Sequence, residues 1–210
     1  MKELDLLKKD WKKNSDSFLQ ISEKEIYKMI HKQSSSTVKW ILVISILEFS
    51  FWTFSNLFIN TDDLLRKMNH PEIVLALDIL TYFNYVVVLF FVINFYKNYK
   101  TISTTVATKT LMSAILRTRK TVQYYVWYNL GMLVIICIFS YFITFVYNPD
   151  MEFLREKLAA DGKAMFFTVG ILILIILGLL GIFWCIYRLI YGTLLRKLYA
   201  NYKELKKIDF

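Results

Sequence analysis

The chain has 210 residues, 56% hydrophobic and 17% aromatic, with a formal net charge of +9. Its apolar residues gather in long blocks instead of recurring at strand or helix periods, which excludes an ordinary soluble domain. A basic balance points to nucleic acid in a soluble protein, but in a chain of this pattern it follows from topology, and no nucleic-acid partner is expected.

In chain order, residues 1–37 read as a cytoplasmic amphipathic tail. In MKELDLLKKDWKK, Leu4, Leu7 and Trp11 share a helical face that Lys8, Lys9 and Lys12 avoid. NSDS interrupts. ISEKEI then offers Ser22 as N-cap, Glu25 to close a capping box, and Ile21 with Ile26 as a hydrophobic staple. A second short helix puts Ile26, Met29 and Ile30 on one side, with His31 as a solvated residue. Such pieces either lie on the bilayer or hold a soluble protein. The start lacks the apolar stretch of a cleavable signal, so the first span is expected to serve as an uncleaved anchor.

Four spans follow, at about 38–59, 72–96, 122–147 and 165–187, within a membrane domain of 38–190. Each exceeds the ~20 residues that cross a hydrocarbon core. Barrel strands alternate over about 10 residues, and these blocks do not. The expected fold is all-α: a membrane bundle of four transmembrane helices with an N-terminal cytoplasmic helical tail.

In the first span, SILEFSFW places Glu48 about halfway through an apolar run. An ionised carboxylate there costs at least ~2.5 kcal/mol, and burial favours the neutral acid. No lysine or arginine is expected at that depth. Ser45, Trp52 and Ser55 share the Glu48 face, so that face should point into the bundle. On the second span, Asn84 falls near the same level, at the edge of a side formed by Asp78, Thr81, Tyr82 and Tyr85. The preferred reading is a neutral Glu48 bonded to Asn84, pairing the first two helices. The alternative is a proton or cation relay through Glu48 and Asp78.

The loop before the second span ends at Pro71, which suits a first helical turn. The loop after the third contains MEFLREKL, a candidate interfacial helix. The middle loop carries Lys97, Lys100, Lys109, Arg117, Arg119 and Lys120 and no acid. From Thr108, the positions Leu111, Ile115 and Val122 keep helical spacing into the third span. The six cations mark the cytoplasmic side and attract anionic lipid at ~1 kcal/mol each, or they form a docking surface for an acidic partner. Gly170, Gly178 and Gly181 make a small-residue strip on the fourth span, suited to helix packing within the bundle or in a homo-oligomer. Cys137 and Cys185 read as buried apolar residues too far apart to bridge. Residues 191–210 form a basic cytoplasmic tail. Of the 26 lysines and arginines, 21 fall on the side of the termini and 5 on the other, which places both termini in the cytoplasm.

The sequence has no glycine-rich phosphate loop, HExxH or GxSxG pattern, and only His31 and His70 as imidazoles. No enzyme activity, metal or cofactor is expected.

The stretches MKELDLLKKDWKKN and ISEKEIYKMIHKQSSS, with LRTRKTVQYYVWYNL and LLRKLYANYKELKKID, resemble a family of small multi-pass membrane proteins of Bacteroidota, especially flavobacteria. Some members carry a carotenoid-oxygenase name. That enzyme class is a β-propeller holding iron with four histidines, which two histidines and a helical membrane pattern rule out. Genes for similar proteins lie beside those for extracytoplasmic-function sigma factors, so the resemblance implies a membrane-tethered regulator of the bacterial inner membrane that binds a cytoplasmic protein such as a sigma factor. The competing expectation is a small transporter or channel subunit using Glu48 and Asp78.

Overall fold

The computed structural model describes residues 22–58, 70–105 and 107–208, nearly all of them helical. Helix α1 spans Glu23–Phe58, α2 Pro71–Thr104 and α3 Thr108–Tyr147. A 3-10 turn, Pro149–Met151, leads to the short α4, Glu152–Ala160, and α5 runs Gly162–Ile208. Helices α1, α2, α3 and α5 are each long and apolar enough to cross a membrane. The protein is an all-α membrane bundle. Its helices neighbour one another in the cyclic order α1, α2, α3, α5, with the α1–α3 diagonal barely touching.

Local chemistry sets the boundaries. At the start of α1 the Glu25 N–H donates to Ser22 Oγ at 3.3 Å, and the Ser22 N–H donates back to Glu25 Oε2 at 3.1 Å. That is the capping box expected from ISEKEI. Pro71 occupies the first turn of α2, where its missing N–H costs nothing. Thr105 and Ala107 are extended, turning the chain from α2 into α3. Leu111, Ile115 and Val122 then lie fully buried along α3, as their spacing required. The segment MEFLREKL forms most of α4. Its Arg155 donates to the carbonyls of Phe145 and Val146 at 2.9 and 2.6 Å, satisfying acceptors that the end of α3 leaves open.

The four long helices have 36, 34, 40 and 47 residues. At 1.5 Å per residue they measure roughly 50–70 Å, against a hydrocarbon core of about 30 Å. The excess lies at the end of the molecule where α1 begins and α5 finishes, called here the basic end. The apolar stretches stop at Lys39, Lys97, Lys120 and Arg196, and all four helices continue beyond them. There Ile30, Ile102, Leu111, Ile115, Leu198 and Leu205 make a second core. Buried Asn201 donates from Nδ2 to Ser34 Oγ at 3.0 Å.

This arrangement corrects the expected division at 37/38 and 190/191. Helix α1 passes through residue 37 without a break, because Thr37 Oγ1 bonds back to the Gln33 carbonyl at 2.9 Å and Ser34 finds Asn201. Ile30, Val38 and Ile41 then form one continuous buried face. The final segment is equally part of the bundle, with Tyr191, Leu198 and Leu205 buried. Ile30 is a core residue and Ile26 packs against it, so neither belongs to an open partner-binding face. Met29 is exposed. Leu4, Leu7, Trp11 and Ile21 lie outside the described residues. His31 is partly buried, with Nε2 lacking a hydrogen-bond partner, and is not the solvated residue expected.

The glycine strip also has a different position. A Cβ built on Gly170, Gly178 or Gly181 meets nothing within 4 Å. These residues do not bring helices together within the bundle. The surrounding half of α5 is open to its surroundings, with Phe166 80% and Leu174 68% exposed. Cys137 is partly buried and Cys185 exposed, and both are free thiols.

Candidate functional site

Glu48 does point into the bundle, but its partners are tyrosines. Tyr125 of α3 donates to Glu48 Oε2 at 2.8 Å, and Tyr191 of α5 donates to the same oxygen at 3.3 Å. Tyr187, one turn before Tyr191, donates to Oε1. Three helices therefore meet on one carboxylate. The expected Glu48–Asn84 bond is replaced, because Asn84 Oδ1 instead accepts from Tyr128 at 3.0 Å. The physical reason is reach: a tyrosine carries its hydroxyl across the bundle axis, whereas the shorter asparagine is met at the α2–α3 seam.

The phenols are held by rings. Phe91 and Phe95 stand edge-on to Tyr125 with centroids 5.5 Å away, and Tyr191 lies 5.9 Å from both Tyr125 and Tyr187. Tyr125 and Tyr191 are 1% and 2% exposed. Ile41, Phe95 and Val122, all fully buried, belong to the same core. Ser45 is buried as its shared face with Glu48 implied, and donates to the Leu42 carbonyl.

Above this floor, away from the basic end, lies a cavity of about 300 Å³. Along α1 it extends from Glu48 past Trp52 to Asn56, a rise of about 12 Å at 1.5 Å per residue. Leu80, Asn84 and Tyr85 line it from α2, Asn129 and Leu133 from α3, and Phe183 and Tyr187 from α5. Asn56 Nδ2 donates to Tyr85 Oη at 2.8 Å, tying α1 to α2 at the upper wall. Asp78 is exposed and is not among the lining residues. Of the three intramembrane polar residues singled out from sequence, Glu48 and Asn84 thus share a cavity and Asp78 does not.

A cation does occur at the depth of Glu48. Arg188 follows Tyr187, so it sits within 1.5 Å of the same height along α5. It faces the other way, its guanidinium stacked 4.8 Å over the Trp184 ring on the exposed side of the helix. The groups bonded to Glu48 are neutral phenols, and among the described residues no lysine or arginine is paired with a carboxylate.

The six basic residues of the middle segment are carried at the α2–α3 turn and the flanking helices. Lys97, Lys100, Lys109, Arg117 and Lys120 are exposed, while Arg119 lies over the Tyr199 ring at 4.7 Å. Lys203 approaches the same ring at 5.1 Å. The site missed from sequence is the tyrosine triad. Its one local signal was the i, i+4 spacing of Tyr187 and Tyr191, with Arg188 between them.

No curated protein and no solved structure matches the chain. Residues 24–210, covering all four long helices, match the family described as Domain of unknown function (DUF8845), and the chain belongs to that family.

Proposed function

We propose that the protein is a non-enzymatic membrane sensor, with an intramembrane ligand site at Glu48 and an output surface on the bundle at the basic end. The observation that carries this reading is the carboxylate ringed by Tyr125, Tyr187 and Tyr191 at the floor of a 300 Å³ cavity. Sites for small molecules are concave, largely apolar and furnished with a few convergent polar groups. The helices that meet at Glu48 are the same ones that form the basic bundle. A ligand that alters their packing at the cavity floor shifts helices that run unbroken into that bundle.

The 21-to-5 bias of basic residues supports placing the basic end in the cytoplasm of a bacterial inner membrane. Exposed Lys100, Lys109 and Arg117 then offer a surface for anionic lipid or for an acidic face of a cytoplasmic protein, and a sigma factor is the partner implied by the sequence resemblance. A small transporter or channel subunit using Glu48 and Asp78 finds less support. Ile41, Phe95 and Val122 pack between Glu48 and the basic end, and Asp78 is exposed.

Crosslinking in native membranes tests the proposal. The expected result is a soluble partner recovered in stoichiometric amount, whose yield changes several-fold in Glu48→Ala although residue 48 is remote from the docking surface. Recovery of no partner, or a yield indifferent to Glu48, contradicts it.

A further inference from the structure

The polarity of the hydrogen bonds around the cavity floor specifies a ligand chemistry. A phenol has one proton to donate, and Tyr125, Tyr187 and Tyr191 all give theirs to Glu48. Tyr128 gives its proton to Asn84. Asn129 donates Nδ2–H to the Tyr125 carbonyl at 2.9 Å, which leaves its side-chain oxygen without a protein partner among the described residues. Asn56 donates to Tyr85 Oη, which leaves the Asn56 oxygen in the same state. The site therefore offers two amide oxygens beside a carboxylate that no described cation neutralises, and its unspent donors, such as the Asn84 N–H groups and the Tyr85 hydroxyl, are uncharged. Phe49, Trp52 and Phe183 add aromatic walls, whose ring faces attract positive charge.

We infer that the cavity receives a protonated amine with a compact apolar body. This rests on the reading of the cavity as a ligand site and names what fills it. The ammonium sits against Glu48 with an N–H directed to the Asn129 oxygen, and the body lies along Leu80 and Leu133. An anion meets the negative charge of Glu48, which no described cation offsets. An alcohol can donate one proton but brings no charge. The three phenols fix the carboxylate in place without supplying a counter-cation, so its charge stays available to the ligand. The volume, about 300 Å³, lies at the small end of the ~300–1,000 Å³ range of such sites, which limits the body to a single ring or a short branched chain.

Three probes of matched shape test the inference on the full chain in nanodiscs of neutral phosphatidylcholine: 2-phenylethylamine, 2-phenylethanol and 3-phenylpropionate. Calorimetry against empty discs should show the amine binding at least about tenfold more tightly than the alcohol, with no binding of the propionate. Glu48→Gln should erase the amine preference while alcohol affinity stays within twofold, and a melting curve checks that this variant is folded. Asn129→Leu leaves Glu48 and its tyrosines in place and should weaken the amine several-fold, providing the test should Glu48→Gln not fold. Equal affinity for amine and alcohol in the wild type overturns the amine assignment and leaves the ligand site standing. Binding of no probe above empty discs overturns both.

Discussion

Glu48 is fastened by one donor from α3 and two from α5, and removing it leaves three phenols without an acceptor. Hydrogen bonds between membrane helices average about 0.6 kcal/mol, so Glu48→Ala should cost about 2 kcal/mol in detergent unfolding. Tyr125→Phe should cost a third to a half of that. A double-mutant cycle distinguishes the observed partner from the expected one: Glu48 and Tyr125 should couple by about 0.6 kcal/mol or more, whereas Glu48 and Asn84 should add within about 0.5 kcal/mol. Strong coupling to Asn84 contradicts the site described here. The sequence made Glu48 legible because a carboxylate in an apolar run must face inward. Its partners were not legible, since they lie 77, 139 and 143 residues away, and the i, i+4 spacing of Tyr187 and Tyr191 does not say what those tyrosines reach. Asn84 was at a plausible height but at a different seam.

At the scale of elements, the lesson concerns where a helix stops. QSSSTV lies across the expected 37/38 boundary between tail and membrane, and serine and threonine favour caps and turns. In the folded chain Thr37 bonds to its own helix and Ser34 to Asn201, so the polar run is absorbed as an interior seam. Ile30→Asp should therefore destabilise the basic bundle by roughly 3 kcal/mol or more, since it buries an unpaired charge. Met29→Asp, on the exposed face one residue away, should stay within about 0.5 kcal/mol. Equal effects at the two positions would show that α1 is not packed as described. On α5, Gly178→Ala enters open space and exchanges a poor helix former for a good one. Its melting temperature should not fall. A clear drop would mean that Gly178 packs against another helix after all.

For the whole molecule, the apolar blocks and helical spacing made the four spans, the all-α class and the α3 register readable, since each depends only on nearby residues. The basic bundle was not, because it arises from four helices overshooting the membrane together, a property of no single segment. The orientation expected from charge is open to labelling. In a chain without Cys137 and Cys185, cysteines at exposed Ser36, Thr104 and Lys203 should resist an impermeant thiol reagent in spheroplasts, and one at Asp150 should react. The reverse pattern inverts the account.

The ligand site itself is tested most directly by photolabelling. A diazirine-bearing 2-phenylethylamine, added to nanodiscs and irradiated, should attach to peptides of α2 and α3 containing Leu80 and Leu133, and an excess of unlabelled amine should remove the label. Label confined to the exposed half of α5 around Phe166 and Leu174, and unaffected by competitor, would contradict a ligand site at Glu48.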